Sequence, residues 1–332
     1  MVTKQEEGYT GNNMVNTLLS VIIVNWNTCD LLVKCLQSIV ADCGPQIATA
    51  AEEASDERPH RPTIEVFVVD NASSDDSARM VKTRFPWAYL IENAENLGYA
   101  QANNQAIDLA NGKYILLLNS DTEVHPGAFA ALIDFMEKTP KAGAAGAHLL
   151  NSDGTLQPAC QPMLTPWREF VRLIFLDRFL HVAVYESQWW ETAEPRRTEV
   201  IKGACLMLRR TALEQVGPLD SSYFMYTEEV DLCYRLGEAG WQLWWVPAAK
   251  ITHYGEASSR QMAQTMYVQL YRSKIQFYRK YGGDRRAALF KHLLRVAYWP
   301  RLAAATLFAP LSPSLTTKAR TYRDLLTQLP TL

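Results

Sequence analysis

Leu18-Leu19-Ser20-Val21-Ile22-Ile23-Val24 is a short apolar run of the kind that makes a buried strand, and it stops at the polar cluster Asn25-Trp26-Asn27-Thr28. Downstream, Leu31, Leu32, Cys35, Leu36 and Ile39 fall at i, i+1, i+4, i+5 and i+8, one face of a helix. A second apolar run, Ile64 to Val69, ends at Asp70, and the polar turn Asn71–Asp75 leads into a helix over 75–84. The alternation continues with a strand at 88–91, a helix over Tyr99–Ala110 and a strand at Tyr114–Leu118. Strand and helix alternating at this spacing predict an α/β fold, a mostly parallel sheet flanked by helices. Such sheets bind ligands beyond the carboxyl ends of their strands. That rule nominates Asn25–Trp26, Asp70–Asn71 and Asn119–Asp121, three polar clusters each placed just after a strand.

The flanks are less regular. Residues 1–17 are a polar leader without an apolar signal core, and 44–62, rich in Ala, Glu and Pro, read as a solvated insertion. Residues 151–200 carry several prolines and the adjacent Trp189 and Trp190, which suits a variable loop-and-helix region. Beyond it, Lys202–Arg209 reads as a strand, 228–239 as a helix, Trp244–Val246 as a strand and 259–281 as a longer helix. No stretch reaches ~18 apolar residues, so no spanning helix is expected. Cys29, Cys35, Cys43, Cys160, Cys205 and Cys233 form no close pairs, which favours reduced buried thiols over a zinc site or a disulfide framework.

Four clusters bear groups that could do chemistry, and each has a plainer reading. Asp70 could accept a hydrogen bond from a pyrimidine, or could only close an Asx turn. Asn119-Ser120-Asp121 presents two oxygen-bearing side chains that suit a hard divalent ion completed by a diphosphate, while Asp121 or Thr122 could merely cap a helix. Glu228, Glu229 and Asp231 put three carboxylates into four residues, where crowding raises a carboxylate's pKa toward that of a general base. Thr227 before them would also make an ordinary N-cap, with acids favoured in the first turn. His253 is a lone histidine, more often structural than a ligand.

Together these stretches resemble the family 2 glycosyltransferases, which have the GT-A fold. The matching segments are SVIIVNWN (20–27), VVDNASSD (68–75), NAENLGYAQANNQAI (93–107), YILLLNSDTEV (114–124), IKGACLMLRR (201–210), YFMYTEEVDLCYRLGEAGW (223–241) and ITHYGEASS (251–259). They occur in the family's order and most resemble bacterial rhamnosyltransferase-like members acting on surface polysaccharide or lipid-linked glycans. The resemblance implies a domain over 18–281, with a nucleotide-sugar half (18–125) and an acceptor half (126–281). It implies that Asp70 contacts the base, with Asn25 and Asn96 lining the nucleotide pocket. Asn119-Ser120-Asp121 stands at the family's DXD position; Asn119 replaces its first acid, and Asp121 would hold the metal, Mg²⁺ or Mn²⁺. Glu229 falls at the second position of the ED pair that carries the base, with Glu228 beside it as the alternative. His253 would help hold metal or diphosphate, and Gly203 and Ala204 would lie where backbone approaches a sugar.

The implied activity is inverting transfer from a nucleotide diphosphate sugar, dTDP-rhamnose or a UDP-sugar, to a hydroxyl of a glycan or lipid-linked acceptor. A dinucleotide-dependent oxidoreductase would need a glycine-rich turn after the first strand, and Asn25–Thr28 contains no glycine. The rival from another class is a non-catalytic nucleotide-sugar-binding or scaffold protein, against which Asp121, the Glu228–Glu229 pair and His253 speak jointly.

Net charge is only −2, yet residues 272–332 carry twelve Lys and Arg against Asp284 and Asp324. Leu289, Leu293 and Val296 interleave with Arg285, Arg286, Lys291, Arg295 and Arg301, so 282–332 reads as a basic amphipathic helical tail that Pro300 should break. The interleaving fits an anionic membrane better than nucleic acid. The expected location is cytoplasmic, peripheral at the inner face of the cell membrane. The alternative is that the stripe docks on the catalytic domain or on a second copy in a homodimer.

Overall fold

The computed structural model describes residues 17–44, 47, 63–180, 182–255 and 259–332. The polar leader and most of the 44–62 insertion lie outside the described residues. The amino-terminal half follows the alternation: β1 (Thr17–Asn25), α1 (Cys29–Cys43), β2 (Thr63–Asp70), α2 (Ser77–Arg84), β3 (Tyr89–Glu92), α3 (Tyr99–Ile107) and β4 (Tyr114–Asn119). β3, β2, β1 and β4 lie side by side and all parallel. Register pairs Asn25 with Asp70, and Val24 with Asn119, so the three polar strand ends finish at one level. The apolar runs explain the burial: Val21, Ile22, Ile23, Val68, Val69 and Leu116–Leu118 are fully buried between helical layers.

The sheet then turns mixed. β5 (Thr122–Val124), α4 (Ala128–Lys138) and β6 (Ala142–Leu150) follow, then the short β7 (Leu156–Gln157) and β8 (Cys160–Gln161). Next come α5 (Pro166–Leu173), α6 (Asp177–Leu180), α7 (Ser187–Trp190), β9 (Arg196–Thr198), β10 (Val200–Ile201) and β11 (Cys205–Arg209). α8 (Arg210–Val216), α9 (Glu228–Glu238) and β12 (Gln242–His253) complete the sheet. β11 inserts antiparallel between β4 and β6, and β12 runs parallel to β6 and antiparallel to β5 at the sheet edge. β6 has no counterpart in the sequence pattern, because its Ala-Gly-rich run carries no β-branched signal. Its glycines serve close packing: a Cβ on Gly146 would lie 2.4 Å from Ile201, and one on Gly143 would lie 2.7 Å from Trp241.

The tail corrects one expectation. α10 (Ala263–Leu307) is interrupted at Gly283, whose φ is 68°, but runs through Pro300 without stopping. Pro300 removes the hydrogen bond to the Val296 carbonyl, yet Val296 and Pro300 are both exposed, so water can satisfy that carbonyl. α11 (Pro313–Gln328) folds back on α10. The face that packs inward is Ala287, Phe290, Leu294, Ala297 and Tyr298, one position round from the sequence stripe. Leu289 and Val296 of the stripe itself remain about half exposed, at 50% and 47%. No helix among the described residues is long and apolar enough to cross a membrane.

Candidate functional site

The strand ends are tied together before they meet any ligand. The Asn25 amide donates to Asp70 Oδ1 and to Ser73 Oγ, each at 3.2 Å, and accepts from Thr28 Oγ1 at 2.6 Å. Thr28 and Ser120 hydroxyls meet at 2.9 Å, linking the turn after β1 to the one after β4. The second oxygen of Asp70 accepts from the Ser73 amide at 3.1 Å, so the turn role foreseen for Asp70 is present. Asn25 and Asp70 are buried, and the cleft wall is formed by their chain neighbours Trp26 and Asn71. Asn71 holds the next loop: its amide donates to Asn96 Oδ1 at 2.8 Å, and its oxygen accepts from the Leu97 amide at 3.0 Å.

The cleft has a volume of about 770 Å³ and gathers Asn96, Asn119, Asp121, Gly203, Ala204, Glu228, Glu229 and His253 on its walls. Register places two of them together, since His253 pairs with Thr122 across β12 and β5. Asp121 Oδ1 lies 3.2 Å from His253 Nε2, and the Asn119 amide lies 3.3 Å from the same nitrogen. His253 Nδ1 lies 2.6 Å from Gln157 Oε1. The Gln157 amide nitrogen is occupied by the His253 and Asn151 oxygens, so Oε1 must face the ring and accept from Nδ1–H. Nε2 then faces the Asp121 carboxylate, so an imidazole nitrogen and a carboxylate oxygen converge on one point of the cleft wall. A divalent cation satisfies that convergence, and oxygen plus one imidazole suits Mn²⁺ or Mg²⁺. Among the described residues no cluster of three or more His, Cys, Asp or Glu forms a ligand set, so substrate phosphate and water would complete the shell.

The opposite wall is the start of α9. Tyr226 and Thr227 both adopt left-handed backbone, with φ of 67° and 73°. The Thr227 side chain therefore makes no capping bond, contrary to the plainer reading of this segment. Two such residues in succession cost about 1–3 kcal/mol each and persist because neighbours hold them. The Ser273 hydroxyl donates to the Met225 carbonyl at 2.8 Å, and the Tyr99 amide donates to the Phe224 carbonyl at 2.7 Å. The second contact needs Gly98, where φ is 82° and a Cβ would lie 2.2 Å from the Phe224 oxygen. Gly98→Ala should cost at least about 1–3 kcal/mol in urea denaturation. An unchanged midpoint would show that the two loops are not clamped there.

The three acids of this segment separate by environment. Asp231 is fully buried and receives Arg235 at 2.8 Å, Lys280 at 2.6 Å and Tyr281 at 2.8 Å, a structural ion cluster. Glu228 and Glu229 each keep a buried Oε2 without a hydrogen-bond partner. Burial, then repulsion from Glu229, pushes the Glu228 carboxyl well above the ordinary range. Burial also raises Glu229, but backbone amides and the Lys202 ammonium oppose the rise. The two carboxyls titrate as a pair, and the amides and the Lys202 ammonium around Glu229 favour its ionised form.

The family model for glycosyl transferase family 2 matches residues 20–188, and that for glycosyl transferase family group 2 matches 114–327. The chain is a family 2 glycosyltransferase. It is 33% identical over 212 residues, 60% of its length, to the N-acetylglucosaminyl-diphospho-decaprenol L-rhamnosyltransferase of Mycobacterium tuberculosis, covering 67% of that protein. It is 27% identical over 176 residues to a low-salt glycan biosynthesis hexosyltransferase of Haloferax volcanii, covering 52% of each chain. A solved structure of GalNAc-T7 with UDP, GalNAc and Mn²⁺ superposes with a TM-score of 0.50 at 17% identity, over 71% of this chain and 44% of that one. The last likeness speaks for the GT-A fold alone.

Three cleft residues of this glycosyltransferase escaped the sequence reading. Tyr99 donates its hydroxyl to the Gly203 carbonyl at 3.1 Å and so joins α3 to the segment before β11. Gln157 orients His253 from the two-residue β7, which no periodicity could reveal. Lys202 lines the cleft on the Glu229 side, and its charge was legible only as part of an apparent strand. The thiols play no part: burial raises Cys35, Cys43, Cys205 and Cys233 to about 12.

Proposed function

We propose that this glycosyltransferase moves a sugar, rhamnose in the reading that its relatives favour, from a dTDP or UDP donor to an acceptor hydroxyl with inversion. The observation carrying this is one cleft with Asp121 and His253 on one wall and the Glu228–Glu229 pair on another. Asp121 and His253 would hold a divalent ion, which supplies charge neutralisation at the departing diphosphate. Glu229 takes the acceptor's proton as its oxygen bonds to the anomeric carbon, while the bond from that carbon to the diphosphate oxygen breaks. One base opposite the leaving group gives inversion and requires no covalent sugar intermediate. Tyr99 and the Gly203 backbone fix the floor on which donor and acceptor meet. The test is a screen of nucleotide sugars for thermal stabilisation with and without Mn²⁺, followed by the anomeric configuration of the product. Retention of configuration, or stabilisation indifferent to metal, overturns the mechanism.

The acceptor we propose is a glycan or lipid-linked sugar of surface polysaccharide synthesis, met at the cytoplasmic face of an anionic membrane. The tail's charge excess supports this, at about 1 kcal/mol for each basic residue near such a surface. Not all of that excess is surface charge. Lys274 is buried against Glu169, and Lys280 is spent on Asp220 and Asp231. Arg285 and Arg286 are exposed, so Arg285→Glu with Arg286→Glu should weaken sedimentation with anionic vesicles by about 10²-fold or more at low salt. Binding unaltered by that reversal removes the tail from the membrane reading. Truncation after Gly283 is a poorer test, because it would strip the buried Phe290 and Leu294 from the core.

A further inference from the structure

Trp167, Phe175, Leu176, Phe179, Leu180 and Val182 are between 38% and 77% exposed, a concentration of large apolar side chains within one short segment around α5 and α6. Phe179 is the most exposed large apolar side chain among the described residues. The three rings alone leave on the order of 300–400 Å² of aromatic surface in water, as much as the largest apolar patch of an ordinary monomer.

The segment is held in this pose by its backbone. α5 ends with the Phe175 amide bonded to the Arg172 carbonyl at 3.1 Å and the Leu176 amide bonded to the Val171 carbonyl at 3.0 Å. This termination calls for a left-handed residue, usually glycine. Here Phe175 takes it, with φ of 61°, and presents a ring that is 57% exposed. A phenylalanine in that conformation is strained and contributes little to the core, so its cost is offset elsewhere. Arg301 of α10 lies 4.9 Å from the ring and donates to the Leu173 carbonyl, fastening the segment to the basic tail. From inside, α5 is anchored by Glu169, which is buried between Arg172 and Lys274. The result is a rigid base with an apolar outer face and a guanidinium at its rim.

We infer that the α5–α6 segment is the part of this protein that enters a lipid surface, with Phe175 and Phe179 as its anchors and the tail's cations on the anionic headgroups. The inference rests on the membrane reading of the tail given above and adds the apolar element that charge alone lacks. Charge complementarity selects this occupant over a second copy of the chain. Self-association through this face would set two Arg301 guanidinium groups, each 4.9 Å from its own Phe175 ring, at one interface.

The experiment compares wild type with Phe175→Ser/Phe179→Ser and with Phe179→Ser alone, using phosphatidylglycerol–phosphatidylcholine vesicles. Phe179→Ser leaves the core untouched and stands in if the double variant fails to fold. Partition of the double variant into vesicles should fall by about 10²-fold, and that of the single variant by about tenfold, with donor hydrolysis unchanged. A Phe179→Cys variant carrying an environment-sensitive fluorophore should shift to the blue on vesicles and be quenched by brominated acyl chains, against labelled wild type as control. Equal sedimentation of wild type and variants overturns the inference while leaving the tail reading intact. Wild type that ignores vesicles altogether overturns both. A dimer in solution that the same substitutions dissolve assigns the face to self-association and overturns the lipid proposal.

Discussion

Glu229→Gln should lower kcat by about 10²–10⁴-fold while leaving donor KM within a small factor. The amide preserves shape and removes only the lone pair that accepts the acceptor's proton. Glu228→Gln should do much less, because burial favours the protonated form of that carboxyl and the amide imitates the protonated acid. If Glu228→Gln is the more damaging change, the two roles are exchanged. The pH dependence carries the same assignment. Glu229 must be ionised to work and its pKa is raised, so activity should be lost on acidification at a pH above the ordinary glutamate range. Lys202→Met removes a cation that favours the ionised form, so this acid limb should move to still higher pH. For stability the sign runs the other way. A carboxyl raised on folding weakens the fold as pH climbs from its unfolded to its folded pKa, so Glu228→Gln should hold or gain stability above that window. Stability scans and the kcat profile from pH 4 to 9 would check both halves.

Asp121→Ala should abolish measurable transfer. Charge stabilisation at a departing diphosphate is worth several kcal/mol, and at about 1.4 kcal/mol per decade its loss is about 10³-fold or more. The same change should erase the difference that Mn²⁺ makes to thermal stabilisation by a nucleotide sugar. Without ligand the fold should survive, because alanine keeps the residue-121 carbonyl that accepts from the Tyr254 amide at 2.9 Å. Full activity in the presence of a chelator, or in the Asp121→Ala protein, sinks the metal reading.

Much of this was legible in the sequence, and the parts that were not have physical reasons. Val21–Ile23 and Leu116–Leu118 announce buried parallel strands because both faces are covered, and the polar residues after them mark the ligand side. β6 stayed silent because Gly143 and Gly146 are chosen for the space they leave beside Trp241 and Ile201. The Trp244–Val246 strand was seen at a quarter of its length, because β12 reaches His253 through Pro247 and two alanines that carry no strand pattern. Asp121, His253, Glu228 and Glu229 were named from motifs and do line one cleft. What separates Asp231 from its two neighbours is invisible in sequence, since Lys280 and Tyr281 reach it from 49 and 50 residues away. The Pro300 expectation failed because the helix continues past the proline, with the Val296 carbonyl left at an exposed position where water can satisfy it.

The β5–β12 pairing also bears on how the chain acquires its activity. β1 to β4 join through connections of 37, 18 and 21 residues, whereas Asn119 and His253 meet across 134 residues. Closing so long a loop is entropically late, and non-local strand pairing slows folding. A chain with its parallel strands assembled but its sheet edge still open would have the strand-end wall of the cleft and no Asp121–His253 pair. Metal-dependent donor binding should therefore appear in the last kinetic phase of refolding, after most helical and strand signal has returned.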